Sequence, residues 1–234
     1  MRPYLLVLVG SVGLNVLLRL RILDHYLTEN YSRNWILDWA RNGLMVVFAV
    51  LLLLFGWVLL QRLPGLLRSN SPQSHTRLRL LGVLVTALAL VNLGSEGLAI
   101  YRLNLNSYSL LFESVYLYFS ITLIFLFWYW YVDHPPRNLT AADPLFALQD
   151  QLESSAYGIL FPEEMIDRET RSSVKWQPGF IDYCYFTILS SNCFGPPEGH
   201  TLVGAPIKKL HVMHSLSMIS VFIIILARAI NTLG

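Results

Sequence analysis

Two carboxylates, two histidines and one short polar row are the residues of this chain with chemistry to offer. Glu96, in NLGSEGL, and Glu113, in LLFES, interrupt stretches that are otherwise apolar. Ionisable side chains inside a membrane are costly and normally face protein or water, so two such acids are candidate ligands for a cation or a proton. The connection between them is short, which places both at similar depth in an antiparallel hairpin. Gly94 and Gly97 flank Glu96 and can loosen the helix there, as broken helices do at ion sites. The plainer alternative is a structural pair near the interface, with Arg102, six residues beyond Glu96, neutralising one acid. His211 and His214 share a helix face. Two histidines can begin a metal site, but no third ligand has the right spacing, so hydrogen bonding is the expected role and no metal or other cofactor is expected. The polar row is Ser190, Ser191 and Asn192, followed by Cys193, Phe194 and Gly195, inside DYCYFTILSSNCFGPPEG at 182–199.

The elements that must position these residues are membrane helices. The chain has 234 residues, of which 54% are hydrophobic and only 14% charged. An average soluble domain carries about 25% charged residues. Five runs are long and apolar enough to cross a bilayer: Pro3–Leu18, Asn42–Gln61, Leu80–Tyr101, Ser114–Val132 and Leu210–Ala227. A span needs about 20 such residues. The first is read as a transmembrane helix and not a cleaved signal, because Asn15 and Arg19 stand where a small-residue cleavage site belongs. The fourth ends in FLFWYWYV, an aromatic belt for the interface.

The expected fold is all-α, a polytopic membrane helix bundle of about five transmembrane helices plus a re-entrant or interfacial segment. Its divisions are a four-helix region at 1–132, a cytoplasmic connection at 133–180, and the polar-row segment with the last helix at 181–234. Within the connection, VDHPPRNL reads as a turn-rich exit from the fourth span. DPLFALQDQLESS reads as a short amphipathic helix, with Asp143 as cap and Leu145, Leu148 and Leu152 on one face.

Charge sets the orientation. The loop 62–79 carries Arg62, Arg68, Arg77 and Arg79 without an acid, and short basic loops stay cytoplasmic. With that loop inside, eleven Lys and Arg fall inside and six outside (Arg19, Arg21, Arg33, Arg41, Arg102 and Arg228). The N-terminus is then cytoplasmic and the C-terminus external, with 181–197 not crossing. If that segment crossed, the bias would shrink to nine against eight.

The stretch ILSSNCFG resembles a potassium-channel pore loop, which reads T-x-T-T-V-G-Y-G after an aromatic pore helix. Ser190 and Ser191 fall where paired threonines stand, Asn192 replaces valine, Cys193 the first glycine and Phe194 the tyrosine, while Gly195 matches the second glycine. A potassium filter points successive carbonyls at the ion and needs glycine for the left-handed backbone. Cys193 in that conformation costs about 1–2 kcal/mol. Pro196 and Pro197 stiffen the chain just beyond Gly195, and the charge bias puts the loop on the cytoplasmic side. Selective potassium conduction is therefore not expected. More broadly, WYWYVD at 128–133, FPEE at 161–164, WQPGFIDY at 176–183 and LARAINTLG at 226–234 are similar to an uncharacterised family of bacterial integral membrane proteins. The resemblance implies a bacterial inner-membrane location and supplies no catalytic residues.

The net charge of +2 and the lack of a basic stripe argue against nucleic acid. Cys184 and Cys193 make no disulfide framework and are read as free thiols. No H-E-x-x-H, G-x-S-x-G or phosphate-binding glycine loop is present, so no enzyme is expected. The functional expectation is a channel-like or transport-related membrane protein with a degenerate pore loop. The alternative is a non-conducting scaffold or assembly protein. Expected partners are the lipid bilayer, with further copies of the chain or another membrane protein.

Overall fold

The computed structural model describes residues 2–28, 35–68, 72–100, 107–142, 158–164, 176–193 and 195–233. The amphipathic helix expected at 143–155 lies outside them, as do Phe194, Arg102 and the side chain of Glu96. Among the described residues the fold is all-α apart from one two-stranded antiparallel ribbon. In order, the elements are α1 (Arg2–Thr28), α2 (Trp35–Arg68), α3 (Pro72–Ile100), α4 (Ser107–Ala142), β1 (Gly158–Leu160), α5 (Phe180–Cys193), β2 (Thr201–Val203) and α6 (Ala205–Leu233). Five helices hold segments long and apolar enough to span a membrane: Pro3–Leu23, Trp39–Gln61, Thr76–Ser95, Phe112–Asp133 and Ala205–Ala227.

The protein divides into two compact units, Met1–Ile124 with Ser220–Gly234, and Phe125–Ile219. The division runs through α4 and α6. The stretch VDHPPRNL does not leave the helix, since α4 runs on to Ala142. A proline removes only its own amide from the helical ladder, and helices persist past prolines as kinks.

In the first unit, α3 packs against α1 and α2. Helix α1 is inside-out by the standards of a soluble protein. Its buried face carries Ser11, Asn15 and Arg19, spaced by four, beside Leu8, Val12, Leu18 and Ile22, while Leu6, Leu17 and Leu20 are exposed. In lipid this is the stable arrangement, because apolar side chains face the tails and polar ones find partners between helices. Asn15 Nδ2 donates to Ser11 O at 2.9 Å and to Ser120 Oγ at 2.6 Å. Asn92 Nδ2 in turn donates to Asn15 Oδ1 at 3.0 Å and Asn15 O at 2.9 Å. One turn further, Arg19 Nη1 donates to Ser95 Oγ at 2.5 Å, and its guanidinium lies 5.3 Å from the Phe48 ring centroid. A desolvated arginine over an aromatic face gains cation–π attraction.

Arg19 corrects one sequence expectation. The charge count places it among the external loop residues, yet it is buried inside the first apolar segment. It is therefore a buried residue of α1 and not a loop charge.

Candidate functional site

The second unit is built around α5. This helix has 14 residues, about 21 Å at 1.5 Å per residue, against a hydrocarbon core of about 30 Å. Its start is fixed locally: Pro178 and Gly179 precede it, and Asp182 Oδ2 accepts from Gly179 N at 2.6 Å. That is the backward-reaching half of a capping box. The helix ends at Cys193, just ahead of the turn-forming cluster Gly195, Pro196 and Pro197. The buried face carries Tyr183, Phe186, Thr187, Ser190 and Ser191. The exposed face carries Ile181, Tyr185 and Ile188. Thus α5 repeats the inside-out pattern of α1. Helix α6 shows it too, with His211, His214, Met218 and Val221 buried and Val212, Met213, Leu216 and Ile219 exposed.

These faces meet in one continuous hydrogen-bonded chain. Ser191 Oγ donates to Thr187 O at 2.9 Å and lies 3.0 Å from His214 Nε2. His214 Nδ1 lies 3.0 Å from Tyr129 Oη, which is also 2.9 Å from His211 Nδ1. All four residues are buried. Around them, Phe125 stacks on the His214 ring at 4.3 Å, and Phe186 meets Tyr129 edge-on at 4.9 Å. Two buried polar atoms here accept no protein partner, Ser190 Oγ and His211 Nε2.

Donor counting orients this chain. The Ser191 hydroxyl has one proton and two acceptors in reach, Thr187 O and His214 Nε2; with the proton on Thr187 O, the Ser191 oxygen accepts from His214 Nε2–H. A neutral imidazole protonated at Nε2 presents a lone pair at Nδ1, which takes the Tyr129 proton. The Tyr129 oxygen then accepts from His211 Nδ1–H, and His211 Nε2 is left with a bare lone pair. The sequence expectation of hydrogen bonding for the two histidines is met. Their shared partner is Tyr129, which the sequence presents only as part of an aromatic belt.

One turn along α4, a second motif clasps the two-stranded ribbon. Asp133 is fully buried. Its Oδ1 accepts from Ile159 N at 2.9 Å, and its Oδ2 accepts from the Tyr183 hydroxyl. Strands β1 and β2 pair antiparallel, with Ile159 opposite Leu202. Phe161 anchors the aromatic packing, with ring centroids 5.6 Å from Trp176, 5.6 Å from Tyr183 and 5.2 Å from His200. Residues from WYWYVD, FPEE and WQPGFIDY, far apart in sequence, therefore converge on one cluster.

The structure spreads the polar row over two environments. Ser190 and Ser191 face inward, Asn192 and Cys193 are exposed, and Gly195 is half-buried. Ser190 through Cys193 belong to the last turn of α5, so in this stretch the carbonyls follow a helix and not an extended filter. Glu113 is buried on α4 in the other unit. Among the described residues, no group of three or more His, Cys, Asp or Glu is placed to hold a metal ion.

Both cysteines are free thiols. Cys193 is exposed, while Cys184 is half-buried and burial pushes its thiol pKa up. Because the thiolate is the reactive form, a small hydrophilic maleimide at pH 8 should label Cys193 about tenfold faster than Cys184. Single-cysteine variants followed by mass spectrometry give the two rates; equal rates would show that α5 does not bury one side.

The chain matches no family model, no curated protein and no solved structure. Its functional reading rests on this geometry and on the residues that build it.

Proposed function

We propose that the protein is a channel-like, transport-related protein of the bacterial inner membrane, in which α5 and the segment up to β2 act as a degenerate pore loop beside α6. One observation carries this reading. A 14-residue helix, too short to span, turns its polar side toward protein and its apolar side outward. Short elements at membrane depth are tolerated where protein or a water-filled cavity covers them, which is how re-entrant loops are housed. Transporter and channel sites are built from such elements. The pore-loop-like order of residues at 190–195 agrees with it.

The scaffold reading keeps one observation of its own: Ser190 and Ser191 are fully buried, and Ser191 is held by His214. Dry packing of this kind is what a non-conducting assembly protein needs.

Flux measurements in proteoliposomes separate the two. Transport predicts passage of at least one of H⁺, Na⁺ and K⁺ above protein-free vesicles. A protein that passes none of them, and that purifies in mild detergent at fixed stoichiometry with another membrane protein, is a scaffold. For orientation, reporters fused at Gly65, Ser107, Ser154 and Gly234 should read inside, outside, inside and outside, in keeping with the charge bias. An external signal at Ser154 would reverse the proposed orientation.

A further inference from the structure

We infer that Ser191, His214, Tyr129 and His211 form a proton relay, with the lone pair of His211 Nε2 as the entry port; this rests on the transport reading and names its cargo. Three features point to it. The chain is unbroken, with contacts of 3.0, 3.0 and 2.9 Å. Each link is a group that can both give and receive a proton, since hydroxyls and neutral imidazoles have one donor and at least one acceptor. The chain ends in a nitrogen that accepts nothing from the protein although the residue is only 7% exposed, and Ser190 Oγ, beside Ser191 at the other end, is likewise buried without a partner. Leaving a buried polar atom without a partner costs about 1–3 kcal/mol, so such an atom is an invitation to a mobile partner, here water or a proton.

The step balances without any other reactant than water. A proton binds His211 Nε2, and His211 Nδ1–H passes to Tyr129 O. The Tyr129 proton passes to His214 Nδ1, and His214 Nε2–H passes to Ser191 Oγ. Ser191 releases its original proton to a water molecule near the last turn of α5. Every group is neutral before and after; one proton has entered and one has left. All hydrogen bonds along the chain now run in the opposite sense, from Ser191 to His214 to Tyr129 to His211. Chains of Asp, Glu and His carry protons in membrane pumps and transporters. The titratable neighbours are Asp133 and Tyr183, bonded to each other a turn of α4 away, and His200, whose ring lies 5.5 Å from Phe186.

The test uses full-length protein in vesicles loaded with a pH-sensitive dye, with K⁺ and Na⁺ flux measured in parallel. Wild type should pass protons, more slowly in D₂O. Tyr129→Phe keeps the ring and removes the hydroxyl that bridges the histidines, so proton flux should fall about tenfold or more. Thermal melting checks that the variant is folded; if it is not, Ser191→Ala cuts the far end of the relay with the same expectation. Undiminished proton flux in a folded variant overturns the relay. Vesicles that pass Na⁺ or K⁺ but no protons overturn the relay and leave the transport reading standing. Vesicles that pass none of the three overturn both.

Discussion

Gly158→Ala is expected to destabilise the protein by about 2–4 kcal/mol, among the largest effects of any single methyl group in this chain. Gly158 has φ +148°, a conformation that side-chain-bearing residues rarely adopt. An added Cβ would also overlap Asp133 Oδ1, the oxygen that receives Ile159 N. The new methyl must therefore displace the carboxylate that holds β1 to α4. Denaturant titration of purified protein, monitored by tryptophan fluorescence, measures the loss. A stability unchanged within error would mean that the Asp133 clasp is not formed.

Asp133→Ala should cost about 2–4 kcal/mol, because it removes the acceptor of two buried donors at once, the Tyr183 hydroxyl and the Ile159 amide. Asp133→Asn should cost less, since its amide oxygen can still accept from Ile159 N. The two sites are also coupled. The Gly158→Ala penalty contains a steric part that exists only while the carboxylate is present. In the Asp133→Ala background that part disappears and only the backbone part remains, so the double variant should be more stable than the sum of the single losses implies. Strict additivity would separate the two residues and contradict the clasp.

The spans are legible in the sequence because the physics behind them is one-dimensional: a long apolar run needs no partner to be recognised. The same holds for the helical spacing of His211 and His214. What the sequence hides is partners. Tyr129 sits in WYWYVD, where a belt of aromatics is the natural reading, and only the packed fold reveals that its hydroxyl faces two histidines. Asp133 has the sequence context of a turn, yet it is a buried clasp. Arg19 reads as a loop charge only if α1 ends at Leu18. A signal is available there, since Ser11, Asn15 and Arg19 recur every four residues along an apolar helix, and polar residues on one face of a membrane helix point to a protein-facing seam. The likeness of Ser190 through Cys193 to a filter is one of residue type alone. Their helical backbone belongs to α5, which Asp182 caps at its start and which ends at Cys193, ahead of Gly195 and the two prolines.

The central claim is the oriented chain through Tyr129. Among the 6 histidines, His211 and His214 can be assigned by comparing ¹⁵N solid-state NMR spectra of the wild type with those of His211→Asn and His214→Asn in lipid. A single tyrosine proton between two Nδ1 atoms forces the rings into opposite neutral tautomers. The expected result is His214 protonated at Nε2 and bare at Nδ1, with His211 protonated at Nδ1 and bare at Nε2. Finding both rings in the same tautomer would contradict the chain.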